Sequence, residues 1–119
     1  MPSPAATLSK EERLHGKKDI ADLLAGGKWG SVGNLRFCIA PNGLEFSRII
    51  VSVPKKYFKR AVKRNLLKRR IREAYRLQKA MLSESGSGVD ILFQYASKEV
   101  ADFAAVKADV AEVLKKAAK

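Results

Sequence analysis

Residues 55–79 have the sequence KKYFKRAVKRNLLKRRIREAYRLQK. Twelve lysines and arginines and a single acid, Glu73, give this stretch a net charge of +11, out of +12 for the whole chain. The rest of the chain therefore has a net charge of only about +1 and is a nearly neutral scaffold for one polycationic element. Such clustering is typical of a protein that binds nucleic acid or another polyanion.

A helix that lies mostly within this stretch is predicted from residue 61 to residue 82. At 100° per residue, Leu67, Ile71, Ala74 and Gln78 fall in one narrow arc, which we expect to pack on a sheet. The opposite arc is almost purely cationic. Its members are Asn65, Lys68, Arg69, Arg72, Arg76 and Lys79.

The cationic face also contains a row of like charges at i, i+4 spacing, formed by Arg64, Lys68, Arg72 and Arg76. Each neighbouring pair destabilises a helix by roughly 0.2–0.5 kcal/mol. The one favourable i, i+4 pair that the spacing predicts is Arg69 with Glu73. A merely solvated face would mix signs, so we expect an external polyanion here. About six phosphate contacts would make log K fall with log salt at a slope of roughly −4 to −5.

The segments before this helix predict one helix and two strands. Residues 1–8 offer little to bury and should be flexible. A helix is predicted over 17–25, because Ile20, Leu23 and Leu24 recur at helical spacing and two glycines follow. Strands are predicted over 35–40 and 48–53, and we expect them to form an antiparallel pair. A short strand over 29–32 would be a third.

The segments after it predict a linker, a strand and a last helix. Residues 83–88 (SESGSG) resemble a flexible linker, and residues 89–95 (VDILFQY) a buried strand. Residues 97–119 place apolar side chains at helical spacing, with Ser97 as a candidate cap. Strand, helix and strand over 48–95 form a βαβ unit. We therefore expect a single RNA-binding domain, residues 1–119, with an α/β (α+β) two-layer sandwich in the order α-β-β-(β)-α-β-α.

Composition argues against several other classes of protein. Cys38 is the single cysteine and His15 the single histidine, so neither a disulfide framework nor a Cys/His metal site is expected. Cys38 should be a buried small hydrophobe. Acids at positions 45, 84 and 90 are isolated in sequence and are expected at the surface, so catalysis by this chain alone has little support. With no long apolar run, we expect no membrane and a cytoplasmic protein.

Residues 48–76 resemble a known family, the protein subunit of bacterial ribonuclease P. Its motif is a strand, a Lys-Lys pair, Ala-Val, Arg-Asn-Arg, Lys-Arg and Arg-Glu. After a strand at 50–53, the matching residues are Lys55-Lys56, Ala61-Val62, Arg64-Asn65, Lys68-Arg69 and Arg72-Glu73. Outside the motif, the similar positions are Arg13-Leu14, Asp19-Ile20, Leu23-Leu24, Phe37 and Asp90-Ile91.

The chain departs from the family's pattern at three places. Leu66 stands where the family has the second arginine of Arg-Asn-Arg, which removes one candidate RNA contact. Residues 57–60 (YFKR) replace a shorter connection that contains glycine. In the first helix, Ile20 and Leu24 stand where the family usually has aromatic residues, so base stacking in the cleft beside that helix should be weak.

The resemblance implies a holoenzyme in which a catalytic RNA, with Mg²⁺ bound mainly by that RNA, removes the 5′ leader from precursor tRNA. It implies no tightly held cofactor, no obligate protein partner and a left-handed βαβ crossover. The implied RNA-binding residues are Lys55, Lys56, Lys63, Arg64, Asn65, Lys68, Arg69, Arg72 and Arg76. The implied residues of a leader cleft between the first helix and the sheet are Arg13, Lys17, Lys18, Ile20, Leu24 and Phe37.

A second interpretation stays open at this point, which is a non-catalytic structural RNA-binding protein such as a ribosome-associated protein. Ile20, Leu24 and Phe37 have an equally simple alternative role in core packing.

Overall fold

The computed structural model describes residues 12–83 and 88–118, in which two helices pack on one face of a sheet and one helix covers part of the other face. The predicted flexible segment 1–8 and the central part of the predicted linker, 84–87, lie outside the described residues. The elements are α1 (Lys17–Gly26), β1 (Lys28–Val32), β2 (Leu35–Pro41), β3 (Arg48–Ser52), α2 (Ala61–Gln78), α3 (Ala80–Ser83), β4 (Val89–Tyr95) and α4 (Phe103–Ala117).

The four strands form one mixed sheet in the order β1-β2-β4-β3. The predicted antiparallel pair of β2 and β3 is wrong, because β4 lies between them, antiparallel to β2 and parallel to β3. β4 has apolar side chains pointing to both faces and is the most buried strand, so a central position covers it best. The predicted βαβ unit is confirmed, since β3 and β4 are parallel neighbours joined through α2.

The main core lies between one face of the sheet and the helices α2 and α4. Alternation along the strands turns Phe37 of β2 and Phe93 of β4 toward this side, where they meet Ile71 of α2 and Val110 of α4. The predicted apolar arc of α2 is confirmed, with Leu67, Ile71 and Ala74 all fully buried. Removal from water contributes about 1.5–3 kcal/mol for each of Leu67 and Ile71. This burial fixes the orientation of α2.

The opposite face of the sheet is covered in part by α1. Leu23 packs there with Leu14, Cys38 and Leu92, and the Cys38 thiol donates a hydrogen bond to the Leu23 carbonyl at 3.3 Å. The predicted burial of Cys38 is confirmed, and desolvation raises the pKa of its thiol. Cys38 is therefore a packing residue that holds α1 against β2.

An ion pair between Arg48 and Asp90 joins the start of β3 to the start of β4. Arg48 donates through Nε to Oδ1 of Asp90 at 2.8 Å and through Nη2 to Oδ2 at 2.7 Å, and Asn42 donates to Oδ1 at 2.9 Å. Asp19 of α1 lies 3.3 Å from Arg48 Nη1. The expectation that Asp90 lies at the surface is wrong, because these donors stabilise the carboxylate in a buried position. The hydrogen bond to Asp90 raises the pKa of Arg48.

Two predicted helix boundaries differ from the structure. The last helix begins at Phe103, where Asp102 accepts a hydrogen bond from the Ala105 N–H at 2.9 Å. Ser97 is not its cap, because the Ser97 hydroxyl accepts from the Glu99 N–H in the preceding loop. The helix predicted to continue to residue 82 ends at Gln78, and the short α3 follows.

The loop between β4 and α4 is held by the buried hydroxyl of Tyr95, which donates to the Glu99 carbonyl and accepts from the Ala101 N–H. Substitution Tyr95→Phe should lower the free energy of unfolding by about 1–2 kcal/mol, because two backbone groups lose their partner. Urea unfolding monitored by circular dichroism would show a lower midpoint at an unchanged m value.

The matched control for Tyr95 is Tyr57→Phe. The Tyr57 side chain is half-buried, and its hydroxyl makes no hydrogen bond within residues 12–83 and 88–118. We expect its removal to change the midpoint little. Equal midpoints for Tyr95→Phe and the parent protein would show that the hydroxyl does not hold the loop.

Candidate nucleic-acid interface

Helix α2 presents its cationic arc to solvent because the opposite arc is packed against the sheet. Asn65, Arg69 and Arg72 are exposed at the middle of this arc, and Lys63 is exposed near its start. Lys68 is half-buried at the margin. The predicted division of α2 into one packed side and one cationic side is thus confirmed.

A groove of about 410 Å³ runs along the cationic side of α2. It is lined by Arg13, Asn65, Arg69, Arg72, Glu73 and Arg76. Arg13 reaches it because the chain before α1 runs beside β3. There Arg13 forms a parallel bridge with Ile49, and the Leu14 N–H donates to the Ile49 carbonyl at 2.7 Å. Four guanidinium groups and one carboxylate therefore line a single surface groove.

The one acid in this groove pairs differently from the sequence prediction. Glu73 accepts from Arg76, through Nε at 2.9 Å and also through Nη2, so the predicted pair with Arg69 is wrong. The hydrogen bonds from Arg76 lower the pKa of Glu73. Arg13, Arg69 and Arg72 form no ion pair within the described part of the chain. Three unneutralised guanidinium groups thus face the groove, an arrangement suited to phosphate groups.

The connection at residues 57–60 has a defined shape that involves Arg64. Phe58 is buried with its ring centroid 5.8 Å from that of Tyr95. Arg64 Nη1 donates to the carbonyls of Phe58 and Lys59 at 2.8 and 2.9 Å. Sequence reasoning missed this role, since no local pattern reveals which carbonyls lie within reach. Arg64 thus fixes the turn at the start of α2 in addition to adding charge there.

Lys55 and Lys56 lie exposed in the turn before α2, and the Lys56 ammonium lies 5.0 Å from the Tyr57 ring centroid. Two other cations of the 55–79 stretch bind protein groups. Arg70 donates to the Ala101 carbonyl at 2.6 Å, and Lys79 pairs with Glu12 at 3.0 Å. The positive charge available to a ligand is therefore concentrated toward the groove and the turn before α2.

The residues predicted for a cleft beside α1 are brought together only in part. Lys17 and Lys18 are exposed in the first turn of α1, and Leu24 is 40% exposed. Ile20 is half-buried against the cluster around Leu23. Phe37 does not belong to this face. Since side chains alternate along β2, it points to the opposite side and packs in the main core.

Helix α1 covers only part of its face of the sheet, which we call the α1 face. The uncovered part carries a row of polar residues that sequence reasoning did not identify. Strand pairing aligns Ser31, Arg36, Gln94 and Ser52 across β1, β2, β4 and β3. They are exposed or half-buried, and the row spans about 14 Å at the usual strand spacing. Side chains two residues apart in a strand share a face, so the position of Cys38 could have placed Arg36 on the same face of β2. It could not have supplied the partners of Arg36 on the other strands.

A smaller groove of about 220 Å³ links the two surfaces at the edge of β3. Arg13 and Arg72, which line the 410 Å³ groove, also line this one, together with Leu14, His15 and residues 49–51 of β3. Arg13 was predicted for the cleft beside α1, and it in fact lies where that cleft and the α2 groove meet. Through Arg13 and Arg72, the α2 groove therefore continues around the β3 edge to Leu14 and Ile50, which pack on the side of α1.

Known proteins are similar to this chain over most of its length. A family model described as Ribonuclease P matches residues 8–118. A protein of Porphyromonas gingivalis named Ribonuclease P protein component is 40% identical over 111 residues, which cover 87% of this chain and 81% of that protein. The chain belongs to the ribonuclease P protein family.

A second sequence relative and a solved structure are similar to nearly the whole chain. A Ribonuclease P protein component of Dictyoglomus turgidum is 37% identical over 91% of this chain and 90% of that protein. The solved RNase P protein from Thermotoga maritima superposes with a TM-score of 0.76 at 28% identity, over 88% of this chain and 96% of that one. The predicted α/β (α+β) class is confirmed.

Membership in the ribonuclease P family defines the general role. The chain is a protein component of ribonuclease P, an endoribonuclease and ribonucleoprotein of tRNA processing, and its partner is the RNA of that enzyme. Within the described residues, no three His, Cys, Asp or Glu side chains cluster as metal ligands. None of the described helices is both long and apolar enough to cross a membrane.

Proposed function

We propose that this chain assists a catalytic RNA in cleaving the 5′ leader from precursor tRNA by binding both molecules. The observation that carries the proposal is the groove on α2. Arg13, Arg69 and Arg72 line it without an ion pair among the described residues, and it continues through Arg13 and Arg72 to the face beside α1. One protein surface can thus contact two RNA strands at once.

The α2 side is the proposed site for the ribonuclease P RNA. Guanidinium groups bind phosphate oxygens bidentately, and a helix holds them at fixed spacing along one face. Contacts of this kind position an RNA backbone and add affinity with little dependence on base sequence. The residues assigned to this site are Lys55, Lys56, Lys63, Arg64, Asn65, Lys68, Arg69, Arg72 and Arg76.

The face beside α1 is the proposed site for the leader of precursor tRNA. Arg13, Lys17 and Lys18 add positive charge around it, while Ile20 and Leu24 supply an apolar margin. Phe37 is left out of this proposed site because it lies in the main core. The row Ser31, Arg36, Gln94 and Ser52 is included instead. These side chains donate and accept hydrogen bonds, as needed to bind single-stranded RNA.

The proposed contribution of the protein to the reaction is electrostatic and positional. The catalytic RNA and precursor tRNA are both polyanions and repel each other, and a cationic surface that contacts both lowers that repulsion. Hydrolysis of the phosphodiester is assigned to the RNA subunit with Mg²⁺ held mainly by that RNA. The protein residues orient the leader and add binding energy near the cleaved bond.

Reconstitution tests this function. Ribonuclease P RNA, precursor tRNA and this protein are combined at low Mg²⁺, where charge screening is weakest. We expect faster 5′ cleavage and tighter binding of the precursor than with RNA alone, because the protein replaces part of the Mg²⁺ that would otherwise screen the repulsion.

Mature tRNA without a leader is the control ligand, and the protein should improve its binding less than that of the precursor. If cleavage and precursor affinity both stayed at the level of RNA alone, the chain would instead be a structural RNA-binding protein.

A further inference from the structure

The edge of the sheet carries a stacked pair of side chains, Trp29 and Arg36, of which the preceding assignment uses only Arg36. Arg36 Cζ lies 4.4 Å from the ring centroid of Trp29, within the range of a cation–π contact. The indole N–H donates to the Leu24 carbonyl at the end of α1, at 3.3 Å. Two contacts therefore hold the ring of Trp29, even though 41% of the residue is exposed.

The pair lies at one end of the polar row on the α1 face. Trp29 is paired with Cys38, and Ser31 with Arg36, so all four side chains lie on the same face of β1 and β2. Arg36 belongs to the row itself. Trp29 lies on the edge strand β1, two residues before Ser31 of the row. An RNA strand bound along the row would therefore reach this pair at the free edge of the sheet.

The surroundings of the pair have room for a planar group. Trp29 and Arg36 both line a groove of about 490 Å³, and Arg36 is the only charged residue among the described residues that line it. The other lining residues are mostly small and include Gly30, Ser31 and Ala96. Among the described residues, no carboxylate forms an ion pair with Arg36. An unneutralised guanidinium over an indole, beside an open and otherwise uncharged groove, suits a nucleobase joined to a phosphate.

We propose that Trp29 and Arg36 form a stacking site for one unpaired base of single-stranded RNA. The inference rests on the proposed leader binding and deepens it. Ile20 and Leu24 of α1 have no aromatic ring on which a base could stack. Trp29 supplies an aromatic surface on the same side of the sheet, and the Leu24 carbonyl links it directly to α1. The stacking surface of this protein lies on β1, at the sheet edge.

The first test uses Trp29 as its own reporter, because it is the single tryptophan of the chain. Stacking of a base on the indole should quench its fluorescence. We expect quenching when the full-length protein is titrated with a short single-stranded oligoadenylate. An oligomer of abasic ribose phosphates, with the same charge and no bases, should bind without comparable quenching.

The second test measures affinity with substituted proteins. Trp29→Ala should weaken binding of leader-bearing precursor tRNA to the holoenzyme by about tenfold, the loss expected for one stacked base. Arg36→Lys keeps the charge but removes the planar stack, and a smaller loss is expected. Lys28→Ala is the matched control, since Lys28 is an exposed neighbour on β1 whose side chain alternates to the other face.

The outcomes separate this inference from the proposed function. Loss confined to leader-bearing precursor, with leaderless tRNA unaffected, supports the stacking site. Unchanged leader affinity for both Trp29→Ala and Arg36→Lys, with normal stimulation of cleavage, overturns it and leaves the proposed function intact. Absence of stimulation by the parent protein, with base-dependent quenching preserved, rejects the proposed function and supports a stacking site for another RNA. Trp29→Phe, which keeps a ring, replaces Trp29→Ala if the alanine protein does not fold.

Discussion

The double substitution Arg69→Ala/Arg72→Ala should weaken binding of the ribonuclease P RNA by about two orders of magnitude at physiological salt. Both guanidinium groups are exposed in the α2 groove, and neither forms an ion pair among the described residues. A hydrogen bond to a charged group contributes about 1.5–3 kcal/mol, and 1.4 kcal/mol corresponds to a factor of ten. The loss per arginine should be near the lower limit, because both side chains remain solvated in the free protein.

Salt dependence gives this prediction a second readout. Each lost phosphate contact should reduce the slope of log K against log salt by about one, so the double variant should lose about two. Filter binding or fluorescence anisotropy over a series of salt concentrations measures both quantities. Because the two arginines point away from the core, the midpoint of thermal unfolding should hardly change.

The control for this pair is Lys116→Ala, which removes an exposed cation from α4 on another part of the surface. It should leave affinity and slope near those of the parent protein. A single Arg64→Ala substitution is less informative, because Arg64 also holds the carbonyls of Phe58 and Lys59. Equal slopes for the double variant and the parent protein would mean that the α2 face only contacts solvent.

The substitution Arg48→Ala should lower the free energy of unfolding by about 3 kcal/mol, near the lower limit for breaking a buried ion pair. It removes the two hydrogen bonds that the guanidinium group donates to the buried carboxylate of Asp90. Among the described residues, the hydrogen bond from Asn42 is then the only one left to that carboxylate. It also removes the contact between β3 and Asp19 of α1. Urea unfolding of the purified protein measures the loss directly.

A buried charge without its partner, and not the mere number of ion pairs, is the cause of this expected loss. Replacing both partners, as in Arg48→Met/Asp90→Leu, should therefore restore much of the stability. Lys115→Ala is the control for an exposed pair, since Lys115 and Glu112 have side-chain exposures of 60% and 53%. Its effect should stay below about 0.5 kcal/mol. A loss for Arg48→Ala no larger than for Lys115→Ala would refute the role assigned to Asp90.

Local patterns predicted those parts of the fold that depend on a single segment. The period of Leu67, Ile71 and Ala74 predicted the buried side of α2, and the same period placed Arg69 and Arg72 outward. The apolar run at 89–95 predicted a buried strand with the bounds that the structure has. These features follow from the geometry of one helix or one strand, which is the same in every fold.

Features that join distant segments were predicted less well. β2 and β3 follow each other in sequence and were expected to pair, but β4 lies between them because its apolar faces are buried best at the centre of the sheet. Phe37 was assigned to the wrong face, since alternation shows which residues share a side but not which helix covers that side. Glu73 was expected to pair with Arg69 and pairs with Arg76, because both lie one helical turn away and rotamers decide between them.

By itself, the sequence determined that residues 55–79 are polycationic, that most of them form a helix, and that the helix has one packed and one charged side. Only the tertiary structure decided which cations are available to RNA. Arg70 binds the Ala101 carbonyl, Lys79 pairs with Glu12, and Arg13 joins the α2 groove from a segment more than fifty residues earlier. The physical reason is that charge and helical period are properties of a local stretch, whereas a guanidinium group binds whichever acceptors the folded chain brings within reach.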